Sequence, residues 1–302
     1  MPQPPVNVVR RAWWQMHACV LLWGSTAVLG KLISLPAVDL VWWRMLIVAV
    51  LLACWPNARQ AIHGMPRELV WQYLGIGMLV AVHWLCFYGS VKLANASVAA
   101  TTLSLACIFV AFIEPLVMRQ RINPTELLLG ALILPGVALV VGGTPQHMRL
   151  GLLLGVLSAW FVAVFGVFNK RLASHHVDAG AMTLLEMTGG CVTITLLLPW
   201  FAKPALQWPH GADIPLLLLL CVACTLLPFI MAFQALRHIS AFGAQLAVNL
   251  EPVYAILLSI VLLHEQKQLD PQFYVGVLII LTVIFSYPLL HRQSVITPTS
   301  ID

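Results

Sequence analysis

The sequence LANASVAATTLSLAC at residues 93–107 has a counterpart 145 positions later, HISAFGAQLAVNLEP at residues 238–252. Each of these stretches is rich in small residues and follows a short basic segment. The same displacement of 145 places Gln120 on Glu265. The pattern predicts that the chain is built from two related halves.

The composition is that of a protein embedded in lipid. Of 302 residues, 61% are hydrophobic and 9% are charged, whereas soluble proteins have roughly 45–50% and about 25%. So few charges cannot cover the surface of a soluble fold, and the same numbers exclude a disordered chain, a collagen-like fibre and a disulfide-rich secreted domain. The composition therefore predicts an all-α polytopic membrane protein.

Apolar runs long enough to cross a bilayer, which takes about 20 residues as a helix, occur ten times between Pro, Gly and charged residues. They lie near residues 13–34, 38–55, 69–91, 96–118, 124–142, 150–169, 179–199, 214–235, 240–263 and 272–290. We predict ten transmembrane helices in two five-helix repeats, 13–142 and 150–290, with tails at 1–12 and 291–302. Because five is odd, the repeats must be inverted, and inverted repeats are typical of secondary transporters.

The distribution of basic residues predicts the orientation. With the N-terminus inside, ten Lys and Arg residues fall on inward segments, five fall on outward segments, and Arg44 lies within a span. Short loops rich in Lys and Arg remain cytoplasmic. No small-residue cleavage site follows the first apolar run, so we expect it to be retained. We predict a multi-pass protein of the cell inner membrane with both termini cytoplasmic.

Five motifs resemble those of EamA-type transporters of the drug/metabolite transporter superfamily, over essentially the whole chain. They are LLWGSTAVLGKL, WWRMLIVAV, FYGSVKLANASVA, NLEPVYAILLSIVLLHE and FYVGVLIILTVIFSYPLL. The fourth is the strongest, with Glu265 thirteen positions after Pro252. The first half departs from this pattern, with Cys107 where the family commonly has Pro and Gln120 in place of the Glu. The resemblance implies a ten-helix, two-repeat carrier of small organic metabolites, often an exporter.

Glu251 is the sharpest candidate for a functional residue, because an ionisable side chain inside a span costs about 2.5–3.5 kcal/mol on insertion scales. It lies roughly 16 Å along predicted span 9, and Pro252 interrupts the helix beside it. Gln245 and Asn249 occupy the same helix face. We expect Glu251 to bind a proton or a cation. The alternative is a protonated carboxyl that holds neighbouring helices together.

Arg44 and Glu186 occupy corresponding positions in spans 2 and 7, at a displacement of 142. The Arg44 guanidinium suits a substrate carboxylate. Alternatively, Arg44 extends to the outer headgroups or pairs with Asp39. Glu186 is a candidate for a gate or a proton carrier, and the alternative is a hydrogen bond that packs two helices.

Aromatic and small polar side chains complete the predicted site. His83 and Trp84, with Tyr88 one turn later, form a stacking face in span 3, and His83 also suits proton transfer. Trp160 is expected to supply the opposite wall from span 6, and Ser104 a hydroxyl from span 4. Ordinary helix packing is the alternative for each of them. We predict a central cavity lined by spans 1, 3, 4, 6, 8 and 9.

The expected function is secondary transport of small organic metabolites, such as amino acids or similar amphiphilic compounds, by alternating access, with export as the expected direction. A proton or a cation is the expected coupling ion. The five Asp residues are scattered and no GxxxxGK loop occurs, so lipid-modifying enzymes rank low and ATP-driven pumping is excluded. A carrier of cationic amphiphiles or drugs, a channel and a scaffold remain as alternatives. We expect no catalytic residue, cofactor, metal or nucleic-acid partner, and the oligomeric state stays open.

The predicted topology is testable by labelling from each side of the membrane. A cysteine introduced at His63 should react with a membrane-impermeant maleimide only from the cytoplasmic side, and one introduced at Gln207 only from the outside. The parent protein in the same oriented vesicles measures the background from native cysteines. The reverse pattern of labelling would contradict the orientation.

Overall fold

The computed structural model of the protein describes residues 6–175, 177–201, 206–248 and 250–290, and every regular element in them is helical. The predicted all-α class is confirmed for this part of the chain. The α-helices are, in chain order, α1 (Val6–Gly24), α2 (Thr26–Leu32), α3 (Ala37–Ala53), α4 (Pro56–His63), α5 (Arg67–Leu93), α6 (Ala96–Leu103), α7 (Ala106–Met118), α8 (Pro124–Gly142), α9 (Arg149–Leu172), α10 (Ala179–Phe201), α11 (Asp213–Cys221), α12 (Leu227–Leu236), α13 (Ala241–Val248), α14 (Glu251–Leu263) and α15 (Pro271–Leu290). A π-helical turn, Val222–Leu226, joins α11 to α12.

Among the described residues, five helical segments are long and apolar enough to cross a bilayer on their own. They are Arg67–Leu93, Ala96–Met118, Gln146–Leu172, Ala179–Trp200 and Asp213–Leu236, which coincide with predicted spans 3, 4, 6, 7 and 8. α3 and α4 pass the same test only together, with a bend of 85° between them. Trp55 at this bend is extended because it precedes Pro56. The remaining predicted spans stay a prediction.

Helix breaks occur at corresponding places in the two halves. α6 ends at Leu103 and α7 begins at Ala106, and 145 residues later α13 ends at Val248 and α14 begins at Glu251. Each break divides a helical run into a short N-terminal half-helix and a longer C-terminal one. The backbone N–H groups of Ser104, Leu105 and Leu250 bond carbonyls three residues back, so the helical run tightens locally at each break.

Basic side chains bind equivalent helix ends in the two halves, where the accepting carbonyls are 145 residues apart and the two lysines 139. Lys31 Nζ donates to the carbonyl of Val91 at 3.3 Å, and Lys170 Nζ donates to that of Leu236 at 2.8 Å. Each lysine also bonds the carbonyl three residues further on, at 3.5 and 2.6 Å respectively. The last carbonyls of a helix have no partner within it. The two lysines therefore stabilise the equivalent helix ends of the two halves.

A second basic residue in each half makes a similar contact. Lys92 Nζ donates to the carbonyl of Ile33 at 2.5 Å, and Arg237, its counterpart at 145, donates to the carbonyl of Val177. In each half, the basic residue at the end of the third predicted span thus bonds the loop that follows the first. These paired contacts give the sequence repeat a structural counterpart.

The two halves run antiparallel to each other. Ala96, at the start of α6, donates its backbone N–H to Glu265, just beyond the end of α14. Ala241, at the start of α13, donates to Glu114, near the end of α7. The start of each broken helix therefore lies beside the end of the other. An inverted repeat requires this arrangement.

Glycines set the closest approach between α5 and α10. A Cβ atom at Gly77 would overlap the backbone carbonyl of Glu186, and one at Gly189 would overlap that of Leu74. Small residues at a helix crossing allow backbones to come this close, which is the usual source of helix association in membranes.

Replacing Gly77 with alanine should destabilise this crossing. We expect Gly77→Ala to lower the free energy of unfolding by about 1–3 kcal/mol, because the backbones must separate to admit the methyl group. Gly75→Ala is the matched control, since a Cβ at Gly75 meets nothing within 4 Å and alanine favours helix. Thermal unfolding in detergent measures both variants. Equal effects of the two substitutions would contradict the packing role of Gly77.

Candidate functional site

A central cavity lies where the broken helices meet. Its volume is about 130 Å³, whereas a single water needs about 10–15 Å³. Side chains from predicted spans 1, 2, 3, 4, 6, 8 and 9 line it. Its polar lining residues are Thr26, Arg44, His83, Asn169, Gln245 and Glu251. The cavity is therefore large enough for a small polar ligand.

Aromatic rings form much of the cavity wall. Phe229 lies edge-on to Trp84 and Trp23, with ring centroids 5.7 and 6.4 Å away, and edge-on to Phe233 at 6.1 Å. All four line the cavity. Edge-to-face contacts of this kind hold rings in fixed orientations. The wall is a rigid apolar surface, suited to an apolar or aromatic part of a ligand.

Arg44 is buried and fixed by three hydrogen bonds. Its Nε donates to Thr225 Oγ1 at 2.6 Å, Nη1 to the Tyr88 hydroxyl at 2.8 Å, and Nη2 to the Cys224 carbonyl at 3.3 Å. The guanidinium carbon lies 3.7 Å from the centre of the Trp84 ring, a cation–π contact. A guanidinium has five N–H donors, so two remain for a ligand.

The π-helical turn explains how Arg44 is held. Thr225 Oγ1 donates to the carbonyl of Leu220 at 2.7 Å, five residues back. The turn presents both the Thr225 hydroxyl and the Cys224 carbonyl to Arg44. π-turns are rare and are frequent at functional sites. Arg44 is 2% exposed, which corrects the alternative in which it extends to the outer headgroups.

Glu251 lies at the start of α14 and lines the same cavity. Its carboxyl is close enough to Arg44 for their charges to interact. No direct hydrogen bond joins these two described residues, and three of the Arg44 donors point to Thr225, Tyr88 and Cys224. The cavity thus contains one basic and one acidic side chain that a ligand can bridge.

His83 is anchored by α9. Its Nδ1 lies 2.9 Å from both the carbonyl and the hydroxyl of Ser158, and its ring packs against Phe87 and Phe165. A carbonyl only accepts, so Nδ1 carries the hydrogen, and Nε2 of the neutral ring is the acceptor. Because His83 lines the cavity, it adds an acceptor to the site.

Gln245 also lines the cavity, as the sequence predicts. Its Nε2 is buried and has no hydrogen-bond partner within the described residues. Asn249, the other amide predicted on this helix face, lies outside the described residues.

Trp160 does not line the cavity, so this prediction is wrong. α9 turns Val162, Phe165 and Asn169 toward the cavity, and a step of 100° per residue puts Trp160 on the opposite face. There it is 44% exposed and packs against Phe109 with a centroid distance of 5.2 Å.

Tyr88 and Ser104 are buried away from the cavity lining, which corrects the prediction that they face it, and Glu186, the candidate gate or proton carrier, is not among the lining residues either. Tyr88 lies behind Arg44 and accepts from it. Ser104 is buried in the break between α6 and α7, where its hydroxyl has no partner among the described residues. All three lie one layer outside the cavity.

Glu186 is fully buried on α10. Neither of its carboxyl oxygens has a hydrogen-bond partner in the described part of the chain. Asn169 and Tyr73 are the polar residues near enough to interact with it. Of these two residues, Asn169 lines the cavity.

Sequence reasoning missed several lining residues, among them Asn169, Phe229 and Phe233. Phe229 and Phe233 are spaced i,i+4, which was a usable signal for a shared helix face. Asn169 lies beside Lys170 at the end of its span. Polar residues are common at span ends, so this position gave no signal of a cavity residue.

Comparisons with known proteins agree with this architecture. The model of a family described as the EamA-like transporter family matches residues 13–142 and again residues 149–292. The resemblance found in the sequence motifs is thereby confirmed. A search of curated protein sequences gives no match.

Solved structures show the same fold. One of the 26 matching chains, described as "Crystal structure of protein", is 17% identical to this chain, with a TM-score of 0.68. The match covers 93% of this chain and 98% of the other. Similarity at this level of identity extends to the fold alone.

The anchoring of Arg44 predicts the effect of two substitutions at Thr225. Thr225→Val should lower the free energy of unfolding by about 1–3 kcal/mol, because it leaves the Nε–H of a buried cation unpaired. Thr225→Ser keeps the hydroxyl and should remain close to the parent. Thermal unfolding in detergent distinguishes them. If the valine variant is as stable as the serine variant, the hydrogen bond has no part in holding Arg44.

Proposed function

Because this chain belongs to the EamA-like transporter family and is thus a multi-pass membrane transporter, we propose that it is a secondary carrier of small amphiphilic metabolites such as amino acids. Transport proceeds by alternating access around the central cavity. The observation that supports this proposal is that Arg44 and Glu251 share one aromatic-walled cavity with no direct hydrogen bond between these two described residues. The direction is export from the cytoplasm.

Arg44 binds the carboxylate of the substrate. Its two remaining N–H donors suit the two oxygens of a carboxylate, and a charge-assisted pair is about twice as strong as a neutral hydrogen bond. Thr225, Tyr88 and Cys224 fix the guanidinium in advance, so little side-chain freedom is lost when the substrate binds. The aromatic wall takes the apolar part of the substrate.

Glu251 binds the ammonium group of the substrate or a proton. One carboxylate compensates one positive charge, so the two compete for it. Release of the substrate then allows a proton to bind, and loss of that proton allows the next substrate to bind. This competition couples substrate export to proton entry.

The membrane arrangement follows from the repeat. The chain crosses the inner membrane ten times, in two inverted repeats of five spans, with both termini in the cytoplasm. The antiparallel halves and the excess of Lys and Arg on inward segments support this topology.

A carrier of cationic amphiphiles or drugs is the second candidate. A cation without a carboxylate would use Glu251 and the aromatic wall, as cation–π contacts allow, and would leave the free donors of Arg44 unused. A flux screen in proteoliposomes over amino acids and organic cations distinguishes the two substrate classes. Competition by amino acids alone supports the first.

Glu251→Gln tests the coupling role. Glutamine keeps the size and hydrogen-bonding capacity of the side chain but does not titrate. We expect this variant to fold normally and to lose gradient-driven flux, or the pH dependence of flux, because no proton competes with the substrate. Flux is measured in proteoliposomes from acidic to mildly alkaline pH, with and without a proton gradient.

The matched control for this test is Glu68→Gln, which makes the same change on an exposed side chain in the first turn of α5. It should transport like the parent. If the Glu251→Gln variant transports like the parent at every pH, the coupling proposal is wrong and Glu251 only holds neighbouring helices together.

A further inference from the structure

Glu265 of the second half caps a half-helix of the first. Its Oε1 accepts from the backbone N–H of Ala96 at 3.0 Å, and its Oε2 accepts from the N–H and the hydroxyl of Ser97 at 2.9 and 2.7 Å. The Glu265 side chain is 1% exposed. The first N–H groups of a helix lack partners within the helix and favour a negative charge. This carboxylate therefore binds the two halves together at the start of α6.

Glu114 of the first half caps a half-helix of the second. Its two carboxyl oxygens accept from the N–H groups of Ala241 and Phe242, at 3.1 and 2.8 Å. These residues are the counterparts, 145 positions later, of Ala96 and Ser97. The same contact is thus made at the opposite end of the antiparallel pair.

The two carboxylates are not equivalent in sequence. The counterpart of Glu265 is Gln120, which is neutral. Glu114 supplies the charge instead, from six residues earlier in the chain. Each half therefore supplies a carboxylate cap, although only the second half has a glutamate at the equivalent position, Glu265.

The carboxylate caps differ from the basic contacts in what they join. Lys31, Lys92, Lys170 and Arg237 each bond a carbonyl of their own half. Glu265 and Glu114 each bond backbone of the other half. When the halves move relative to each other, the basic contacts can persist, whereas a cap must break at the end that opens.

We propose that Glu265 and Glu114 are the two gate latches of the carrier. Glu265 holds the outer end of the cavity closed, and Glu114 holds the inner end closed. The proposal rests on the alternating-access function proposed above. Opening one end breaks the cap there and leaves the opposite cap intact.

The helix breaks connect each latch to the cavity. α6 ends at Leu103 and α13 at Val248, and both of these residues line the cavity. Glu251 begins the helix that follows the second break. A ligand that pulls on these positions acts on the same short half-helices that the latches hold. At the ends of the bundle, water replaces the broken caps, so the cost of opening stays modest.

Accessibility of a cavity cysteine from the two sides tests the proposal. Thr26→Cys places a thiol in the cavity lining, and a membrane-impermeant maleimide is added to one side of oriented vesicles at a time. Adding Glu265→Gln should raise the labelling rate about tenfold from the outer side, and Glu114→Gln from the inner side, which is the size of effect expected on weakening a charge-assisted hydrogen bond. The protein with native Thr26 measures the background.

Two controls separate latch release from general loosening. Asp270→Asn and Glu68→Gln remove exposed carboxylates near the outer and inner latch respectively and should leave labelling at the parent rate. Thermal unfolding of each variant checks that it is folded. Unchanged labelling, or an increase from both sides in either latch variant, would overturn the proposal.

Substrate flux of the parent, measured in the same vesicles, tests the carrier function separately. Side-specific labelling without flux would overturn the proposed carrier function and leave the latches in place. Flux without side-specific labelling would overturn the latches and leave the proposed carrier function in place.

Discussion

The first N–H and the last C=O groups of a helix have no partners within it, and hydrocarbon offers them none. This chain bonds such groups with charged side chains. Lysine and arginine bind the carbonyls at helix C-termini, and glutamate binds the N–H groups at helix N-termini. With charged residues at only 9% of the sequence, many of them are used in this way.

The cavity depends on the same constraint. The helices that end at Leu103 and Val248 reach the cavity, since both of these residues line it. Pro228, four residues after Cys224, has no N–H to donate, and the Cys224 carbonyl accepts from Arg44 instead. Arg44 uses three of its N–H donors to bond Thr225, Tyr88 and the Cys224 carbonyl, and its other two N–H donors remain for a ligand. The groups that complete the fold are therefore also those that build the site.

The two halves share the pattern of contacts but not all of the residues. Lys31 and Lys170 are the same residue type, and Lys92 and Arg237 keep the charge. The carboxylate moves from the position of Gln120 to Glu114. A contact defined by charge and reach tolerates such a shift, because a carboxylate from either position can meet the same two N–H groups.

The sequence by itself indicated the all-helical class and the repeat displacement of 145, and it singled out Arg44, Glu251, His83, Trp84 and Gln245, which line the cavity. The charged and polar residues among them stand out because burying a polar group in lipid is costly, which is a property of each residue and its span. The tertiary structure alone decided that Trp160 faces outward, that Tyr88 lies behind Arg44 and that Glu186 lies near Asn169. Lipid is as apolar as the protein core, so an apolar helix carries little information about which face points inward, and only packing against its neighbours sets its rotation.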